Sequence, residues 1–277
     1  MSESAAGDDL IELGGAVPLG LYLSELWDRR EFAIVVPAND IRAQNMDTAL
    51  GQLWHLVNPL MLVGVYYLIF GVVLEADRGV QNYLAFLVCG ILLFQLTQRV
   101  VQDSAAAINR NEGLIRSLQF PRALLPVSAV VGQTLAFLPA LLVLLVVTVA
   151  TGELPTWRWL VLPGVLALQC LIGLGAAFIT ARVGFALRDI EQILPHLFRL
   201  VFYLSGVLFA VEAFVSRPLY QHLFALNPLY DVISVARWCL LGRDVSGYVI
   251  TGLLAWAVLL PVGGLLFFRA AEHRYGS

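Results

Sequence analysis

The side chains that could do chemistry are few in this chain and stand apart. The four histidines (His55, His196, His222, His273) are scattered and form no H-E-x-x-H pair. Each reads as an interfacial or packing residue rather than a metal ligand. The three cysteines (Cys89, Cys170, Cys239) each lie in an apolar stretch. They read as small buried hydrophobes, with no C-x-x-C pair and no disulfide framework. No G-x-S-x-G elbow is present, and no apolar stretch carries paired aspartates. All 17 basic residues are arginines. Without lysine there is no Walker A loop to hold nucleotide phosphates, and no Schiff base can form. The chain is therefore expected to be no enzyme, with no cofactor or metal of its own.

Composition explains where such a chain would work. Of 277 residues, 59% are hydrophobic and only 13% charged, against about a quarter charged in soluble domains. Mean hydropathy is +0.80. One soluble core could not hide that much apolar surface, which excludes a soluble enzyme, a disordered chain and a nucleic-acid binder. An all-α integral membrane protein remains. The net charge of −3 matters less than where the charges lie.

A spanning helix needs about 20 mostly apolar residues. Six stretches are expected to span: 56–74, 83 to about 97–101, 124–151, 159–181, 195–211 and 248–268. The second fades into a polar, glutamine-bearing turn. The fifth is short and interrupted by Arg199, expected to snorkel to the headgroups. Tyr83, Trp157, Trp159 and Tyr248 stand at span ends, where amphipathic rings favour the headgroup layer. With the N-terminus cytoplasmic, the inner segments hold twelve arginines: Arg29, Arg30, Arg42, Arg99, Arg110, Arg116, Arg122, Arg182, Arg188, Arg199, Arg269 and Arg274. The outer segments hold five: Arg78, Arg158, Arg217, Arg237 and Arg243. This imbalance predicts both termini inside. Residues 1–9 lack a basic region, so no cleavable signal peptide is expected.

Three units follow: a disordered cytoplasmic tail over 1–18, amphipathic interfacial helices over 19–54, and a six-span domain over 55–270. Leu19, Tyr22, Leu23, Leu26 and Trp27 keep helical spacing on one face, as suits a helix lying in the interface plane. Segment 212–245 is too apolar for a loop and too broken to span, because Glu212, Pro218, Pro228, Asp231 and Arg237 interrupt it. Two short re-entrant helices between the fifth and sixth spans are expected there. Backbone at that depth must be buried in protein or line a water-filled route.

Mid-span acids and bases, which ion-coupled carriers keep, are nearly absent, so either the protein is passive or a partner supplies the work. The inner segment 104–122 suits one. A short helix over Leu114–Leu118, set off by Gly113 and closed by Pro121, would project apolar and charged groups into the cytoplasm. An ordinary basic loop would read the same way.

Several runs resemble the permease subunits of ABC-type polysaccharide exporters. Asp40-Ile41-Arg42, Thr48-Ala49-Leu50-Gly51, Trp54 and Pro59 resemble the family's entry to the first span. Asn109 to Arg122 resembles its cytoplasmic coupling segment. Arg188-Asp189-Ile190, Ser205-Gly206-Val207 and Asn227-Pro228-Leu229 also match, in order. The basic-aromatic cluster usual after the first arginine is here Ala43-Gln44-Asn45-Met46-Asp47. The resemblance, over about 25–270, implies a homodimer of permeases working with two copies of a separate ATP-binding subunit that holds ATP and Mg. It implies export of a lipid-linked polysaccharide (O-antigen, capsule, teichoic acid or cell-wall galactan) across the bacterial cytoplasmic membrane, among membrane lipids. It places ATPase coupling on Asp40, Arg42, Asn109, Arg110, Asn111, Glu112, Leu114, Ile115, Arg116, Phe120 and Arg122. The outer gate would include Glu212, Asn227, Asp231 and Arg237.

Aromatic rings stack on sugar faces and permit sliding. The expected conduit is Tyr66, Tyr67 and Phe70 of the first span, Phe86, Phe94 and Gln98 of the second, and Phe198, Phe202 and Tyr203 of the fifth. At least half of these rings are expected to pack in the bundle instead. Two other readings stay open: an ABC permease for drugs or small lipids, and a membrane-embedded enzyme of lipid-linked sugar metabolism.

Overall fold

The computed structural model describes residues 19–31, 33, 54–73, 80–117, 120–215 and 217–271. Every regular element among them is helical. In chain order these are α1 (Leu19–Asp28), α2 (Trp54–Tyr66) running on as a π-helix (Tyr67–Val73), α3 (Tyr83–Arg110), α4 (Glu112–Ser117), α5 (Leu124–Ala150), a 3-10 turn (Trp157–Val161), α6 (Leu162–Ala186), α7 (Ile190–Leu204), α8 (Val211–Phe214), α9 (Pro218–Phe224), α10 (Pro228–Leu241) and α11 (Gly247–Arg269).

Four of these are long and apolar enough to cross a membrane: α3, α5, α6 with its 3-10 lead, and α11. Six crossings were expected. The stretches that fall short are the first and fifth. The first switches from α to π winding at Tyr67. The fifth stops at Leu204 after 15 residues, because Gly206 turns the chain left-handed at φ 59°. The second stretch behaves in the opposite way. It does not end at the glutamines but continues as one helix of 28 residues to Arg110, about 42 Å long. Glutamine is a good helix former, and neighbouring helices bury this segment up to Ile108.

α3 is the hub of the bundle. Asn82 caps it, accepting from the Ala85 amide at 3.2 Å, and donates to Thr151 Oγ1 at 2.8 Å. One side chain thus starts α3 and ties it to the C-terminal end of α5. Helices α2, α5, α6, α7 and α10 pack around α3 and bury its Phe86, Leu87, Ile91, Leu93 and Phe94. Gln169 of α6 donates to the Leu93 carbonyl at 2.7 Å and to Thr97 Oγ1 at 3.0 Å, a buried polar tie of the kind that holds helices together in lipid.

Glycine permits the closest approaches. A Cβ at Gly175 of α6 would overlap the backbone of Leu260 in α11, and one at Gly264 the backbone of Gly175. Small residues at such crossings let van der Waals packing replace the missing hydrophobic drive.

A second core lies where Tyr22 of α1, Ile108 of α3, Ile115 of α4, Phe178 of α6 and Phe268 of α11 meet. Of the expected apolar face of α1, Tyr22 is buried and Leu26 packs beside it. Trp27 stays 69% exposed, with Arg30 over its ring at 5.2 Å.

Candidate functional site

Three of the expected span faces meet at one aromatic cluster. Tyr66 of α2 stacks on Phe202 of α7, ring centres 5.3 Å apart. Phe94 of α3 meets Phe202 edge-on at 5.1 Å and Phe198 at 5.9 Å. Phe70 lies 6.0 Å from Tyr66, and Tyr67 lies 6.4 Å from Tyr83. Phe86, Phe94, Phe198 and Phe202 are buried within this one chain. Tyr67 and Tyr203 are exposed, and Tyr66, Phe70 and Gln98 are half-buried. The structure therefore divides the nine expected conduit residues into four core rings and five that reach the protein surface.

The outer face of α7 carries a feature that composition alone hid. Gln192, His196, Arg199 and Tyr203 recur at helical spacing and are all exposed, while Leu194, Phe198 and Phe202 point into the core. In a membrane-spanning helix such polar residues face protein or water; here the exposed Ile193, Leu197, Leu200 and Leu204 flank the stripe. Sequence reasoning treated Arg199 and His196 singly, as anchor and interfacial residue. The i, i+4, i+7, i+11 recurrence from Gln192 to Tyr203 was the available signal.

Beyond α7 the chain unwinds over 205–210, and its carbonyls need donors. Arg237 of α10 supplies them. Its guanidinium is buried and donates to Gly206 O at 2.7 Å, Val207 O at 2.8 Å and Phe86 O at 3.0 Å. It lies 3.2 Å from the centre of the Phe86 ring. Tyr83 Oη donates to Leu208 O at 2.7 Å. Asn227 caps α10, accepting from Leu229 N at 3.0 Å, and donates to Ser205 Oγ at 2.8 Å. Glu212 accepts from Tyr230 Oη at 3.0 Å, with Arg243 4.0 Å away. Asp231 is fully buried, and neither carboxylate oxygen has a hydrogen-bond partner among the described residues. Arg237 and Asn227 thus bond to segment 205–210, and Glu212 bonds to Tyr230, whose ring lies against Gly206.

The expected short helix is present as α4. Glu112 and Arg116 are exposed and paired at 2.6 Å. Ile115 is buried, and Leu114 and Phe120 are half-buried. Asn109 and Arg110 face elsewhere: Asn109 donates to Gly184 O at 3.0 Å, and Arg110 pairs with Asp103 at 2.5 Å. Asn111 donates to Ala107 O at 2.8 Å. Arg122 is half-buried beside them. Asp40 and Arg42 lie outside the described residues. No group of metal-ligating side chains occurs among the described residues.

A family model described as ABC-2 type transporter matches residues 38–241. The chain is 29% identical over 210 residues to the O-antigen export system permease protein RfbA of Myxococcus xanthus, covering 76% of this chain and 80% of that one. It is 25% identical over 248 residues to the protein of the same name in Klebsiella pneumoniae, covering 89% and 94%. It is 23% identical over 242 residues to the polysialic acid transport protein KpsM of Escherichia coli, covering 84% and 91%. With the match spanning most of its helices, the chain belongs to the ABC-2 type transporter membrane family.

Proposed function

We propose that this chain is the membrane-spanning subunit of an ATP-driven exporter of a lipid-linked polysaccharide. Two copies form a passage, and a separate ATP-binding subunit, itself in two copies, drives it. ATP and Mg sit on that partner. The relatives' printed names, O-antigen export permease and polysialic acid transport protein, support the cargo class.

The observation that carries the reading is the exposed stripe Gln192, His196, Arg199 and Tyr203 on α7. Opposed by a second copy, this stripe and the surface tyrosines Tyr66 and Tyr67 make a wet, aromatic wall. Polar side chains replace the water of a sugar chain, and rings give it sliding faces. The chain crosses the cytoplasmic membrane six times with both termini inside, α2 with its π turns and α7 completing the count. The pair α9 and α10 inserts from outside as a gate over 205–210.

Affinity purification of the tagged chain tests this. An ATP-hydrolysing subunit is expected to come along, and depletion of the chain should accumulate a lipid-linked glycan on the inner leaflet. Solute movement by the isolated chain without a nucleotide-hydrolysing partner would overturn it.

A further inference from the structure

Asp231 stands in the first turn of α10, just past the Asn227 cap. It is fully buried, and neither carboxylate oxygen has a hydrogen-bond partner among the described residues. No arginine or histidine among them lies within ion-pair distance of it. The titratable groups on the surrounding elements are engaged elsewhere. On α10 itself, Arg237 serves the carbonyls of Gly206, Val207 and Phe86, and Tyr230 donates to Glu212 of α8. Tyr83 of α3 donates to Leu208 O, and Arg158 of the 3-10 turn donates to Gly242 O. His222 of α9 lies against the Tyr248 ring of α11 at 4.4 Å. Arg243 sits by Glu212 and over the Phe86 ring. Cys89 and Cys239 are buried thiols.

What meets Asp231 is backbone. A Cβ at Gly252 of α11 would stand 2.6 Å from Asp231 Oδ2 and 3.5 Å from the carbonyl oxygen of Ala225, the residue that ends α9. The carboxyl therefore fills the notch that a glycine leaves open, and a second acceptor borders the same notch. A bare carboxylate would face that carbonyl with no donor supplied. A proton on the acid replaces one acceptor by an O–H donor. The N-terminal turn of α10 favours a negative charge only modestly, and by less than burial of an unpaired ion costs. The neutral acid wins that comparison.

We propose that Asp231 is a proton-binding site that latches α9 and α10 against α11. The acid keeps its proton while the three helices are packed, and gives it to water when α9 moves away and the carboxyl is wetted. One O–H bond breaks and the proton passes to water; nothing else is consumed. The packed form is the one that holds the proton. Its advantage over the parted form is therefore full at acid pH and is lost as pH rises through the range where the packed acid titrates. The gating half of this rests on the exporter reading: where α9 and α10 close the passage, an acidic outer medium holds it shut. The protonation stands without that reading.

The test uses the full chain with its co-purified ATPase in phosphatidylcholine nanodiscs. At about pH 7 exposed acids are ionised, so a protonated-carboxyl stretch in the infrared spectrum reports a buried acid. Native protein should show it and Asp231→Asn should lack it. Amide hydrogen exchange over 218–233 reads the parting of the helices. At matched pH, the ratio of native to Asp231→Asn exchange should be near unity in acid. Above the titration it should rise by about ten-fold per pH unit. A flat ratio, or a native spectrum without the band, overturns the latch. Faster exchange in Asp231→Asn than in native protein at about pH 7 also overturns it, because the packing would then need the charge. So does protection of native protein by sodium or potassium chloride that Asp231→Asn does not share, which would make the site a cation seat. Should Asp231→Asn not fold, a lipophilic carbodiimide, which adds to protonated acids, decides on native protein. Asp231 should be labelled, and less so as pH rises; no label overturns the site. Absence of an ATPase sinks the exporter reading and leaves the band, whereas absence of the band sinks only the latch.

Discussion

The guanidinium of Arg237 donates to the carbonyl of Gly206 across 2.7 Å, at the point where Gly206 takes a φ of 59° and ends α7. The break and the arginine belong together. An unwound turn buried against α3 exposes carbonyls that no helix satisfies, and a forked cation with several donors meets two of them, on Gly206 and Val207, together with the Phe86 carbonyl of α3.

Removal of that cation should therefore be felt in stability. Arg237→Met strands the carbonyls of Gly206 and Val207 and is expected to cost about 3 kcal/mol, the scale of buried acceptors left unpaired. Arg237→Lys should recover only part of it, because a point ammonium lacks the fork. Denaturant unfolding in detergent micelles measures both; equal stability of Arg237→Met and native protein would refute the assignment.

The glycines of α11 should split into two kinds. Gly264→Ala drives a methyl group into the Gly175 backbone and is expected to destabilise by about 2 kcal/mol, as overpacking does. Gly263→Ala meets nothing within 4 Å and should be neutral or stabilising by about 0.5–1 kcal/mol, the helix cost of glycine. Thermal shift of the two variants side by side reads the difference.

On α4, Arg116→Glu should lower export and transporter-coupled ATP turnover while the chain still inserts. The exposed pair with Glu112 is worth only about 0.3–0.5 kcal/mol, so stability should barely move. Unchanged export would show that α4 is not the contact with the ATPase.

The aromatic cluster offers a fourth comparison. Phe202→Ala removes a buried ring that touches Tyr66 and Phe94 and should cost about 3–5 kcal/mol in stability. Tyr66→Ala with Tyr67→Ala should impair glycan export yet leave assembly with the ATPase intact. Assembly failure in that double variant would make those rings packing residues.

Much of this was readable before folding, and the gaps have physical causes. The runs 124–150 and 247–269 are continuous apolar stretches, so their helices fall within a residue or so of expectation. The glutamines after Phe94 were read as a span end, because composition cannot tell which side of a helix a neighbour will cover. α3 runs through them since α5 and α6 bury that side. Glu212, Asp231 and Arg237, expected at an outer gate, were flagged as interruptions in an apolar stretch, but their partners were not legible: Arg237 reaches Phe86 across 151 positions of sequence. The stripe on α7 was missed because each polar residue was weighed alone rather than by its recurrence.

The small inner core has a mechanical meaning. Ile115 anchors a six-residue helix among side chains from α1, α3, α6 and α11, so α4 is not a free tab hanging from a loop. Close-packed interiors resist compression and pass displacement on. A push delivered to α4 is shared at once among α1 and three helices long enough to cross a membrane, which makes that knot of apolar side chains the gearbox through which a stroke from a nucleotide-driven partner would turn into tilting of the bundle.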